Sequence, residues 1–151
     1  MDIESLIDAC LKTDPTHASP TLVELERGGP VAYCALKERL SSGTLGPTRA
    51  VRAIKCLLIA TSHGTLSQDI DRLQFLLSFA NHPHKGVRTA AAHALVIGRK
   101  RNESRLKVAD PLVAAQMPSL DAMRGAVRTA LALGVERPFR RLFEEFVNSV
   151  G

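Results

Sequence analysis

The chain has 151 residues, of which 45% are hydrophobic and 4% aromatic, and its formal net charge is +5 with the histidines neutral. This hydrophobic content is ordinary for a folded soluble protein, and the length indicates one domain. No run of 18 apolar residues exists, and the chain opens with the acids Asp2, Glu4 and Asp8 rather than with basic residues. The sequence therefore predicts neither a transmembrane helix nor a signal peptide, and we expect a cytoplasmic protein without membrane contact.

Two short helices are predicted before residue 30. The first covers residues 2–12, and a break follows at Asp14-Pro15. The second helix runs from Ser19-Pro20 to about Arg27, and Gly28-Gly29-Pro30 is a turn signal. We expect residues 1–29 to form a terminal cap, because terminal repeats are usually atypical. The apolar face of the first helix comprises Ile3, Leu6, Ile7, Cys10 and Leu11.

A period of 36 residues organises the rest of the chain. Three segments align at that spacing: PTRAVRAIKCLLIATS from Pro47, PHKGVRTAAAHALVIG from Pro83 and SLDAMRGAVRTALALG from Ser119. Each segment places an arginine in the same column, and we call Arg52, Arg88 and Arg124 the arginine column. A fixed period of this size indicates helical hairpins that bury their apolar faces by stacking on neighbours.

Each repeat is predicted to hold an A helix followed by a B helix. Two glycines, Gly98 and Gly134, are expected to end B helices in a left-handed conformation, and Ser62-His63-Gly64 is expected to end the first one. Ser67 and Ser119 are expected N-caps, and Pro111 should kink or split the third A helix. Leu95 should lie deep in the central B helix. The A helices are predicted at 30–42, 67–80, 103–117 and 137–149, and the B helices at 47–62, 84–99 and 120–134.

Cations are concentrated in the second part of the chain. Residues 1–46 hold seven acids and four bases, whereas residues 47–151 hold eight acids and sixteen bases. The densest basic stretch, Arg99-Lys100-Arg101, is predicted to lie in the turn after the second B helix. Such a cluster suits a phosphate backbone or an acidic protein surface, and it equally suits a solvated turn.

No pattern of catalytic or metal-binding residues emerges. The histidine pair in His82-Pro83-His84 is expected to be an exposed turn, and His17, His63 and His93 do not complete a ligand set. We expect the cysteines Cys10, Cys34 and Cys56 to be small buried thiols rather than disulfide or metal partners. Paired carboxylates such as Asp69 and Asp71 fall at a helix start or in exposed helical positions. The sequence therefore predicts a protein that is not an enzyme and binds no cofactor or metal.

The B-helix columns resemble HEAT repeats of the short bacterial type. This resemblance implies an all-α fold, an α-solenoid of about three HEAT-like hairpins with terminal capping helices, whose B helices line a concave face. Residues 30–151 would hold the repeats within one compact domain overall. The positions that carry the resemblance are Pro83, Val87, Arg88, Ala91, Leu95 and Gly98.

One departure from the HEAT pattern concerns the arginine column. HEAT repeats commonly place an aspartate near the turn to pair with this arginine, but the residues six positions earlier are Gly46, His82 and Pro118. The arginines then either reach carbonyls at helix C-termini, as an internal ladder, or point outward as a cationic stripe.

Two binding functions follow from these alternatives. The first is a non-catalytic scaffold or adaptor that binds a protein partner with an acidic surface. The second is binding to the phosphate backbone of duplex nucleic acid through a basic B-helix face. A DNA glycosylase of the HEAT-like type is disfavoured, because the chain has no Trp and one Tyr, Tyr33. The candidate partner-binding residues are Arg49, Arg52, Lys55, Lys85, Arg88, Arg99, Lys100, Arg101, Arg124 and Arg128.

Overall fold

The structure is a computed structural model, and it describes residues 2–15 and 19–149. All the regular secondary structure in these residues is helical. No strand occurs in these residues, which confirms the all-α class. None of the helices found there is both long enough and apolar enough to cross a lipid bilayer. The α-helices are α1 (Ile3–Cys10), α2 (Pro20–Ser41), α3 (Pro47–Ala60), α4 (Leu66–Leu76), α5 (Lys85–Val108), α6 (Pro111–Ala114), α7 (Leu120–Leu133) and α8 (Arg140–Asn148), and 3-10 helices span Leu77–Asn81 and Arg137–Phe139.

The helices group into two compact units, Met1–Thr65 and Leu66–Gly151. This division does not coincide with the predicted boundary between cap and repeats, residues 29 and 30, which lies inside α2. Gly29 interrupts α2 there with φ 48° and ψ −126°, so the two predicted helices on either side of the glycines are present as two halves. The grouping into a cap, 1–29, and repeats, 30–151, stays a prediction.

In the first unit, α2 packs against both α1 and α3. The predicted apolar face of α1 is buried, with Ile7 and Leu11 fully enclosed. α2 begins at Pro20, where the sequence predicts a helix start, and Ser19 is its N-cap, because its Oγ accepts a hydrogen bond from the backbone N of Leu22 at 3.2 Å. These contacts confirm both short N-terminal helices.

The second unit contains one long helix where two were predicted. α5 runs without interruption from Lys85 to Val108, so the expected turn after Gly98 is wrong. Gly98 is helical and buried, and a Cβ atom built on it would lie 2.4 Å from Cδ2 of Leu73 on α4. The glycine therefore allows two helices to approach closely instead of ending one of them. Arg99-Lys100-Arg101 consequently lies within a helix and not in a turn.

Other predicted helix ends in the second unit are confirmed. The third A helix is split at Pro111, since α5 ends at Val108 and α6 begins at the proline. Ser119 caps α7, and Gly134 ends it with φ 106°. The core of this unit includes Leu95, which is fully buried as predicted.

Two further predicted ends are wrong. α4 begins at Leu66, so Ser67 lies in its first turn and is not the N-cap. Gly64 is not among the positive-φ glycines of the chain, and α3 ends instead where Thr61 Oγ1 donates to the carbonyl of Leu57 at 2.8 Å.

Replacing Gly98 by alanine tests the close approach of α4 and α5. We expect Gly98→Ala to lower the free energy of unfolding by about 1–3 kcal/mol, because overpacking outweighs the roughly 1 kcal/mol that alanine gains over glycine in a helix. Gly125→Ala is the matched control, since a Cβ there meets nothing within 4 Å. This control should raise stability by up to about 1 kcal/mol. Urea denaturation monitored by circular dichroism measures both, and a stabilising Gly98→Ala would contradict the packing described.

Candidate functional site

The arginine column is directed at backbone carbonyls. Arg88, the middle member, is 7% exposed, and its Nε donates to the carbonyl of Gly134 at 2.6 Å. Its Nη2 donates to Leu133 at 2.9 Å, and its Nη1 donates to the carbonyls of His82 and Pro83 at 3.1 and 2.9 Å. The last carbonyls of a helix lack partners within the helix, and a cation beside them also opposes the negative end of the helix dipole. Arg88 thus joins the end of α7 to the turn before α5.

The other two members make the same kind of contact. Arg52 Nη1 donates to the carbonyls of Leu11 and Lys12, at 3.0 and 2.9 Å, beyond the end of α1. Arg124 Nη2 donates to the carbonyl of Ser149, the C-cap residue of α8. Of the two alternatives for the column, the structure shows the internal one, in which each arginine reaches carbonyls at the C-terminal end of another helix.

Lys55, a fourth predicted partner-binding residue, is also engaged. Its Nζ forms an ion pair with Asp14 Oδ1 at 3.1 Å. Six of the ten candidates remain, and within residues 2–15 and 19–149 none of their six side chains forms an ion pair or a hydrogen bond: Arg49, Lys85, Arg99, Lys100, Arg101 and Arg128.

The six remaining cations are spread over three helices. Arg49 belongs to the first unit, on α3, and Arg128 lies on α7 of the second. Lys85 and Arg99 share α5 but are 14 residues apart, which is about 21 Å along a helix axis. Arg99, Lys100 and Arg101 are consecutive residues of α5.

The second half of α5 exposes a cationic surface. Lys100, Arg101 and Lys107 are exposed and lie within about 120° of the helix circumference, and we call them the α5 basic face. Val108, at the end of α5, points between them and is 87% exposed, while Leu112, four residues later on α6, is 80% exposed. Val108 is therefore an exposed apolar group on the cationic side of α5, and a second one, Leu112, follows on the next helix.

A groove lies beside this face, between α5, α7 and α8, and we call it the α5–α8 groove. Its apolar lining comes from Leu120, Leu142 and Phe146, and its volume is about 360 Å³. Sequence reasoning missed it, because its walls come from three helices that are far apart in the chain. The polar residues that line it are Arg99, Lys100, Glu103, Glu145 and Ser149.

A buried polar cluster, which sequence reasoning also missed, links α4 to α5. Asp69 lies in the first turn of α4, which confirms the predicted helix start, and it is buried there, with 2% of its surface exposed. Its carboxylate accepts from Arg72 Nη1 at 2.9 Å and from Arg105 Nη1 at 3.1 Å. Arg105 also donates to Asn102 Oδ1, and Asn102 Nδ2 donates to the carbonyl of Gly98 at 2.8 Å. A signal was present in the sequence, since Asp69 and Arg105 are one 36-residue period apart.

The histidine pair caps the start of α5. His82 Nδ1 accepts from the backbone N of His84 at 3.0 Å, and His84 Nδ1 accepts from the backbone N of Gly86 at 3.1 Å. Both rings must be neutral at Nδ1 to accept these bonds. In the part of the chain that the structure covers, no group of three or more metal-binding side chains forms, and His17 lies outside that part.

Burial of the cysteines is predicted correctly at two positions of three. Cys10 and Cys56 are buried, and burial, with smaller contributions from Cys10 and Asp14, raises the pKa of Cys56 to about 12. Cys34 is exposed, which corrects the prediction for that residue. The buried neighbours Tyr33 and Leu36 take the inward side of α2, so position 34 falls on the opposite side.

Comparisons of the chain with protein-family models, with curated proteins and with solved structures find no match. The resemblance to HEAT repeats therefore rests on the sequence columns alone and stays a prediction.

Removing Arg88 tests the internal role of the column. Arg88→Ala should lower the free energy of unfolding by about 2–4 kcal/mol, because it leaves four part-buried carbonyls without their charged donor. Arg88→Lys should recover only part of this, since an ammonium cannot reproduce the forked geometry of the guanidinium. Arg128→Ala, the matched surface control on α7, should change stability by less than about 0.5 kcal/mol. Equal effects of Arg88→Ala and Arg128→Ala in urea denaturation would refute the assigned role.

The histidine cap predicts a pH dependence of stability. Burial, then the charges of His84 and Arg88, lower the pKa of His82 from its ordinary 6.5. As the pH falls, His82 therefore takes up its proton first in the unfolded chain. The contribution of neutral His82 to the free energy of unfolding is complete above about pH 6.5, and it is lost as the pH drops through the lower pKa of His82 in the folded protein. Denaturation between about pH 8 and pH 5 should show the loss. In His82→Asn, the Oδ1 atom replaces the Nδ1 acceptor and does not titrate. The free energy of unfolding should then change less steeply with pH, and an unchanged dependence on pH would exclude His82 as its source.

Proposed function

We propose that this chain is a non-catalytic cytoplasmic adaptor that binds a protein partner with an acidic surface through the α5 basic face. The observation that carries the proposal is the exposure of two apolar residues next to the cations of that face in the chain, since Val108 is 87% and Leu112 is 80% exposed. Its three cations form no ion pair within the described residues. A single exposed apolar residue is ordinary, but apolar groups beside free cations match an acidic amphipathic surface.

The HEAT-like architecture is part of this proposal. An α-solenoid of about three hairpins with terminal caps would present α5 along an extended binding surface. Support comes from the arginine column, whose members serve the same carbonyl-binding role in the first unit, at Arg52, and in the second, at Arg88 and Arg124.

Binding to duplex nucleic acid is the second candidate. The exposed cations Arg49, Lys85 and Arg128 favour it. Affinity for a phosphate backbone, however, depends on many simultaneous cation contacts. The predicted stripe supplies fewer of them than expected, because four of its members are engaged internally: Arg52, Lys55, Arg88 and Arg124.

Charge reversal on α5 tests the proposal. We expect the triple variant Lys100→Glu, Arg101→Glu, Lys107→Glu to lose at least about tenfold in affinity for an acidic amphipathic peptide of glutamate and leucine, because attraction becomes repulsion. Fluorescence anisotropy of the labelled peptide measures the affinity.

The matched control reverses three cations away from that face, Arg49→Glu, Lys85→Glu and Arg128→Glu, and has the same net charge. It should keep most of the affinity. Equal losses in both variants would contradict a localised binding face. A gel shift with duplex DNA at low salt, weakened equally by both variants, would favour nucleic-acid binding instead.

A further inference from the structure

The α5–α8 groove has an apolar floor and a charged rim. Leu120 and Leu142 are half-buried and Phe146 is buried, and together they line a space of about 360 Å³. Sites that take up ligands are commonly apolar clefts of roughly this size or larger, with a few charged groups that fix orientation. The space suits one large side chain rather than a whole helix.

The groove is held in shape by contacts beside it. Arg124 Nη2 donates to the carbonyl of Ser149 and to its Oγ, which fixes the end of α8 to α7. Ser119 caps the start of α7 by accepting from the backbone N of Ala122 at 3.0 Å. A preformed cleft loses little conformational entropy on binding.

The charges on the rim select a carboxylate. Glu145 forms an ion pair with Arg141, whose Nε lies 3.1 Å from its carboxylate. Arg99 and Lys100, on the α5 side, form no ion pair with any described residue. The two cations are thus available to a ligand, whereas one of the two acids, Glu145, already has a cationic partner.

We infer that the α5–α8 groove receives an apolar side chain of an acidic segment of the protein partner, and that Arg99 and Lys100 hold a carboxylate of the same segment. This inference rests on the proposed adaptor function and names the chemistry of the partner. Glu103 lies one helical turn, about 5.4 Å, beyond Arg99. It would repel a second carboxylate at that point, so the segment carries a neutral or basic residue there.

The test is a double-mutant cycle between protein and peptide. The probe is a fluorescein-labelled helical peptide of about twelve residues with one phenylalanine anchor and one glutamate a turn away. Arg99→Glu should weaken binding of the unmodified peptide about tenfold. Replacing the peptide's glutamate by glutamine should also weaken its binding to the unmodified protein. In the Arg99→Glu protein the same peptide change should have no effect or improve binding, a coupling of roughly fivefold or more.

A second cycle pairs Leu142→Ser with replacement of the peptide phenylalanine by alanine, and it should show coupling of similar size. Circular dichroism checks that Leu142→Ser folds, and if it does not, the cycle at Arg99 decides alone. Arg128→Glu, on α7 and outside both the groove lining and the α5 basic face, is the matched control and should couple to neither peptide position.

The outcomes separate this inference from the proposed function. Coupling of less than about twofold at Arg99, with binding still lost in the α5 basic-face triple variant, overturns the groove and leaves the adaptor. Failure of the wild-type protein to bind either peptide at high micromolar concentration counts against both.

Discussion

The contact between an arginine and the carbonyl end of another helix is the interaction on which this fold depends most. It recurs at Arg52, Arg88 and Arg124, and the 36-residue period places the donor at the same point of each B helix. A helix C-terminus offers carbonyls without internal partners and a partial negative charge, so a guanidinium satisfies both at once.

The inward direction of the column decides which cations remain for binding. A basic chain with a regular arginine repeat invites the interpretation of a continuous cationic stripe, but the regular arginines are those that the fold uses. The cations free of such contacts are irregular in sequence, and those in the second half of α5 are close together on one helix. Val108 and Leu112, which follow them in the chain, are exposed apolar groups, and this is the ground for proposing a protein surface rather than a phosphate backbone as the partner.

Helix positions were predictable here because periodicity and caps are local. The 36-residue alignment located α3 and α7, and Pro111 marked a real break. The prediction that Gly98 ends a helix was wrong, because glycine can either end a helix or allow two helices to pack closely. Only the position of Leu73 beside Gly98 distinguishes the two roles. The 36-residue spacing of Asp69 and Arg105 was a signal that went unused. The α5–α8 groove was beyond reach, since its walls come from three helices that are far apart in the chain. The charge count indicated a basic surface but not which cations point outward.

The direct measurement of the central claim is hydrogen exchange at the arginine side chains by ¹⁵N nuclear magnetic resonance. The Nε–H of Arg88 donates to the carbonyl of Gly134 at 2.6 Å and is shielded from water. Its resonance should persist at neutral pH without any partner present and exchange far more slowly than that of exposed Arg128. Equally fast exchange at the two arginines would contradict the internal role of the column and return Arg88 to the candidate binding surface.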